Sequence, residues 1–131
     1  MAERNTPYKD GNLVLLAVAA STKIEAGKIV AVNSSGYAIE ASDAASIVVM
    51  GVADETADNS SGSNGAISVA VKRGKAFKFK NGTTAVTIAS LGGNVVVQDD
   101  ETVTTAAGAT NDIVVGKCLG VESDGVWVYI G

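Results

Sequence analysis

With 131 residues, 10 basic and 14 acidic side chains and a net charge of −4, the chain suits a single domain and does not suit general nucleic-acid binding. It has no histidine and one cysteine, which removes the commonest general base and metal ligand, any internal disulfide and any zinc set. Aromatic residues are 5% of the chain and 15 glycines stand against one proline, so the core must be fine-grained and the turns built mostly by Gly, Asn, Asp and Ser.

Residues 1–12, MAERNTPYKDGN, are polar and contain the only proline; they read as an extended N-terminal arm, with residues 13–131 as one β-domain. Arg4, Tyr8 and Lys9 are the arm's candidate contacts, Tyr8 packing either on its own domain or on a neighbour. The apolar run Leu13 to Ala20 is short and turn-flanked, which favours a strand over a helix; it is too short to span a bilayer. Mixed charges before it make a poor signal peptide. A strand is predicted from Gly27 to Asn33, a turn at Ser34–Gly36, a return strand from Tyr37, a polar loop from Ala41 to Ser46 and a strand from Ile47 to Ala53. Asp54 to Gly65 ends in DNSSGSNG, a composition that permits flexibility and forbids a core.

The stretch Ala66 to Lys80, AISVAVKRGKAFKFK, organises the rest. Ile67, Val69, Val71, Phe77 and Phe79 alternate with polar or small residues, the period of a half-buried strand. Both phenylalanines and five of the ten basic residues lie here. Gly74 admits two readings: a three-residue hairpin loop that sets Val71 opposite Phe77, or one long strand bent at a glycine bulge. The second half repeats the plan of the first. Gly93–Val97 matches the run from Gly27 at an offset of 66, Ile113–Val115 matches Ile47–Val49, and Gly120–Val121 matches Gly51–Val52 after a three-residue insertion. Gly125 and the alternating run to Ile130 echo the strand before Lys72. The expected fold is all-β, a small β-sandwich or partly open β-barrel, built from two pseudo-repeated units at about 27–74 and 93–131 joined by Gly74 to Leu91.

No catalytic motif emerges, no cofactor is implied, and the chain reads as a non-enzyme. Cys118 sits in an apolar run and has no histidine to activate it. Gly62–Gly65 lacks the Lys-Ser/Thr of a phosphate loop, and the acidic runs at 54–58 and 99–101 lack calcium-loop spacing and read as solvated turns. Lys72, Arg73 and Lys75 form a cationic cluster, either a partner contact or a solvated strand face that opposes aggregation. Trp127 and Tyr129 share one face, as in a stacking platform, though the surrounding Val126, Val128 and Ile130 favour core or subunit packing.

The order of certain pieces resembles the capsid cement, or head decoration, proteins of tailed bacteriophages. These pieces are Ala26–Val30, Val49–Ala53, the strand into Arg73-Gly74, Leu91–Val97 with Asp99-Asp100, Val115–Val121 and the terminal Trp127–Gly131. The resemblance spans roughly residues 25 to 131, and the arm matches nothing specific. It implies a non-enzymatic virion protein on the outer capsid surface, commonly a homotrimer, that clamps the major capsid protein and contacts neither nucleic acid nor membrane. On this reading the capsid or subunit contacts come from Arg4, Tyr8, Lys9, Lys72, Arg73, Lys75, Trp127 and Tyr129. The alternative is a carbohydrate-binding or host-surface display module that uses Trp127 and Tyr129.

Overall fold

Alternation settles the central stretch. In a computed structural model that describes residues 3–7, 9 and 11–131, Val69 and Val71 are fully buried and Phe79 nearly so, while Ala76, Lys78 and Lys80 face outward. Among the described residues twelve strands carry the fold. They are β1 (Leu13–Ala17), β2 (Thr22–Ile24), β3 (Ile29–Val32), β4 (Ala38–Glu40), β5 (Val48–Ala53), β6 (Ala57–Asn59), β7 (Ser68–Lys72), β8 (Lys75–Asn81), β9 (Asn94–Val97), β10 (Thr102–Thr104), β11 (Val114–Glu122) and β12 (Gly125–Ile130). The protein is all-β, and its only helical segments among those residues are the 3-10 turns Ile88–Ser90 and Ala106–Gly108.

The strands form two lobes of the same design. In the first, the sheet order is β1-β7-β5-β3-β4, and a single parallel bridge, Val18 to Ala38, ties its two edges together. In the second, β8-β12-β11-β9-β10 follows the same order and closes into a barrel through a parallel β10–β8 pair. The bridge Val18–Ala38 thus corresponds to Asn81–Val103. The equivalence holds residue by residue. Ala31 opposite Val49 becomes Val96 opposite Val114, and Val30 opposite Gly51 becomes Val95 opposite Gly116, each 65 residues on. A bulge interrupts both pairings at the same place.

The repeat is therefore real, but its register differs from the sequence expectation by one residue, and no insertion precedes the second glycine. Gly27 is matched by Gly92, not Gly93: both adopt left-handed backbone (φ 86° and 80°) and both donate to the corresponding strand, at Ala53 O and Cys118 O. β8 is also not a linker. It pairs with β12 as β1 pairs with β7, which makes it the opening strand of the second lobe. Arg73-Gly74 is not a hairpin loop: β7 and β8 lie in different sheets, and Gly74, at φ 73°, steers the chain from one lobe into the other.

Each lobe is filled by short side chains. Val18, Val30, Ala38, Ala53, Val69 and Val71 make the first core, and Val95, Val103, Cys118, Val126 and Val128 take the matching places in the second. Barrels this narrow leave room only for side chains. The outer face of β3 supplies the join: Ile29 and Ala31, with Ala41, Ile47 and Val52, belong to the second lobe's hydrophobic cluster. The loop expected to lack a core instead holds β6, which pairs with β2. Ala57 and Asn59 are buried there. The Asn59 amide donates to Ala19 O and Ser63 O, both at 2.9 Å, so its burial is compensated.

Candidate functional site

The candidate residues fall into separate regions. Arg4 and Lys9 are exposed on the arm; Tyr8 lies outside the described residues. Lys72, Arg73 and Lys75 gather where the chain crosses between lobes. Trp127 and Tyr129 sit on the outer face of β12, whose end meets that crossing, with Tyr129 opposite Ala76 and Ile130 opposite Lys75. The core option for these two aromatics is corrected by strand parity. Val126, Val128 and Ile130 take the inward positions, which leaves Trp127 37% and Tyr129 43% exposed.

The crossing forms an open cleft of about 400 Å³ lined by Asn12, Leu13, Asp54, Lys72 and Lys75. Its backbone is clamped: Arg73 N donates to Asn12 O at 2.9 Å, and Gly74 N donates to Ile130 O. Lys72 Nζ lies 3.4 Å from Asp54 Oδ1, while Arg73 and Lys75 form no ion pair among the described residues. In an unbroken strand residues 72 and 75 would point to opposite faces. The left-handed turn at Gly74 breaks that alternation and brings both lysines to one cleft.

Around Trp127 the surface is both apolar and charged. Its indole N–H donates to Glu122 Oε1 at 3.0 Å, and Lys78 Nζ lies 5.9 Å from the ring centroid. Lys78 also pairs with Glu122 at 3.1 Å and with Asp124. Asp124 first and Glu122 second raise the Lys78 pKa, and Lys78 in turn holds both carboxyls below their usual range. Gly120, opposite Trp127, leaves space beside the indole. Leu119 is exposed in the adjoining bulge. Leu91 is exposed next to Gly92, whose N–H donates to Cys118 O. Ile88, in the same 3-10 turn as Leu91's preceding residues, is 74% exposed.

Sequence reasoning missed the polar contacts between the lobes. The acidic turn 99–101 is not merely solvated. Lys28 Nζ reaches Glu101 Oε2 at 3.0 Å and Asp100 Oδ1 at 3.4 Å, Lys80 Nζ reaches Glu101 Oε1 at 2.8 Å, and Ile29 N donates to Asp100 O. Lys80 and Lys28 lower the Glu101 pKa. Asp43 accepts from Thr110 N at 2.8 Å and Asn111 N at 2.9 Å, which holds its carboxyl below the usual range. Among the described residues no cluster of His, Cys, Asp and Glu has the makings of a metal site.

No protein-family model matches the chain, and no curated protein or solved structure matches it either.

Proposed function

We propose that this chain is a structural virion protein that binds the outer surface of a phage capsid, as a homotrimer, and stabilises the shell without enzymatic activity. The observation that carries the reading is the amount of large apolar side chain left outside. Leu15 is 73%, Ile88 74%, Leu13 54%, Leu119 53% and Leu91 51% exposed, alongside Trp127 and Tyr129. Outer surfaces that carry apolar residues in groups mark protein contacts. A ligand that binds only the assembled shell stabilises it by mass action, and many copies on one lattice make weak contacts effective. Closed symmetry stops association from running on.

Co-sedimentation with undecorated, expanded phage capsids tests the proposal, together with the solution mass. Saturable binding in multiples of three per threefold position, with raised capsid thermal stability, supports it. A well-folded monomer that leaves such capsids unbound removes it.

One observation favours a second reading, a sugar-binding or host-surface display module. Trp127 and Tyr129 lie side by side on an exposed strand face, with Glu122 and Lys78 at the indole. Saturable quenching of Trp127 fluorescence by simple sugars supports this reading, and unchanged emission removes it.

A further inference from the structure

We propose that the cleft at the lobe crossing is a recognition site for a short peptide segment that presents a carboxylate beside an apolar side chain. Three features of the cleft select that chemistry. Among the described residues that line it, cations outnumber anions: Lys72 and Lys75 stand against Asp54, and Arg73 lies between the two lysines in the chain. Asp54 is already engaged with Lys72, whereas Lys75 is exposed and holds no ion pair among the described residues. A carboxylate between the two lysines gains charge-assisted hydrogen bonds without displacing a stronger partner. Leu13, 54% exposed, supplies an apolar wall on the same cleft and so favours a ligand with an apolar neighbour over a bare anion. The volume of about 400 Å³ accommodates a few side chains rather than a single ion.

The site is also preorganised. Lys72 and Lys75 are three residues apart on a backbone held on one side by Asn12 O and on the other by Ile130 O. Gly74 allows the turn that aims both lysines into the cleft, and Asn12 Oδ1 lies directly over the space a Cβ on Gly74 would need. Little ordering of the backbone is then left to the ligand, which favours affinity.

The choice of a protein partner rests on the proposed function, but the test uses the isolated full chain, so the two fail separately. ¹⁵N-labelled protein is titrated with acetyl-Leu-Glu-Leu-amide, with the Gln analogue and with inorganic phosphate. The expected result is saturable movement of the Leu13, Lys72 and Lys75 amides by the Glu peptide. The Gln analogue and the Lys75→Ala variant should each bind about tenfold more weakly, the loss of one charge-assisted contact. Lys23→Glu, a charge change on β2, should leave binding as it was. Lys75→Glu, if its spectrum stays dispersed, should abolish it. Equal binding of the Glu and Gln peptides overturns the proposal. So does phosphate matching the Glu peptide, or movement that never saturates. Peptide binding alongside failed capsid binding keeps the cleft and discards the virion role; the reverse discards the cleft alone.

Discussion

Gly51 and Gly116 occupy the same place in the two lobes, and each is forbidden a side chain by the same kind of neighbour. A Cβ on Gly51 would run into Lys72 O, and one on Gly116 into Tyr129 O. Both lie at the bulge of the long central strand, where the facing strand's backbone comes closest. Gly51→Ala and Gly116→Ala are each expected to cost at least about 1–3 kcal/mol, the range for forcing atoms into a packed site, because the obstruction is main chain and cannot swing away. Gly11→Ala, with nothing within 4 Å of its added methyl, should be silent. Urea midpoints of the three variants check the ranking.

Much of the architecture was legible because valine and glycine place themselves. The alternation from Ile67 to Phe79 assigned the inward face, and the recurrence of glycine-bounded valine runs revealed the two units. The same degeneracy hid the register. Gly92 and Gly93 are adjacent, so Gly27 aligns with either; only the left-handed backbone at Gly92 and its bond to Cys118 O distinguish them. A one-residue slip in matching the units would carry each strand residue of one lobe onto a residue of opposite face in the other. β6 was invisible for another reason. Asn59 is buried by hydrogen bonds that exist only once Val18–Ala19 and Ser63 are brought to it. The site divides the same way. In the sequence Val126, Val128 and Ile130 favour core or subunit packing of Trp127 and Tyr129, although the same alternation, applied strictly, places the three aliphatic residues inside and the two aromatics outside. No sequence pattern, by contrast, joined Lys72 to Asp54 or Lys28 to Asp100.

The outward placement of the aromatics has a thermodynamic consequence. Val128 is fully buried and Trp127 is not, so Val128→Ala should destabilise by about 2–3 kcal/mol although it removes only two carbons. Trp127→Ala removes a far larger side chain and should nevertheless cost less, about 1–2 kcal/mol, because the indole is 37% exposed and its hydrogen bond and cation–π pair lie at the surface. Chemical unfolding followed by circular dichroism decides the order. A larger loss for Trp127→Ala would place the aromatic inside the fold.

Two carboxyl groups on the first lobe should respond to pH with opposite sign. Asp43 has its pKa lowered from 3.8 by the N–H groups of Thr110 and Asn111, so its contribution is present above that value and fades as pH falls through the folded-state pKa. Asp43→Ala should therefore destabilise at neutral pH, and the gap to the native chain should close in acid. Glu40 has its pKa raised from 4.5, first by burial and also by Asp100, while the Glu25 N–H opposes the shift. Its ionised form is the disfavoured one in the folded chain, so its favourable contribution exists at low pH and is lost as pH rises. Glu40→Gln keeps an acceptor for Glu25 N and should raise the thermal midpoint at neutral pH, with the gain vanishing below about pH 4. Melting curves between pH 3 and 7 test both signs.

The two lobes should unfold together, because the first lobe places side chains in the second lobe's core. Ile29 is fully buried, yet it belongs to the cluster containing Val95, Val97 and Val128 rather than to the valines of its own lobe. Its backbone N–H also donates across the junction, to Asp100 O. Trp127 is the only tryptophan and reports on the second lobe, while far-ultraviolet circular dichroism reports on both. In the native chain the two signals should share one transition. Ile29→Ala leaves a cavity at the junction and should cost about 2–5 kcal/mol. It should also separate the two midpoints, since it removes a fully buried side chain from a join that is then left to Ala31, Ala41, Ile47 and Val52 and to the part-buried Lys28 ion pairs. Coincident midpoints at an unchanged denaturant concentration would mean that Ile29 does not hold the lobes together.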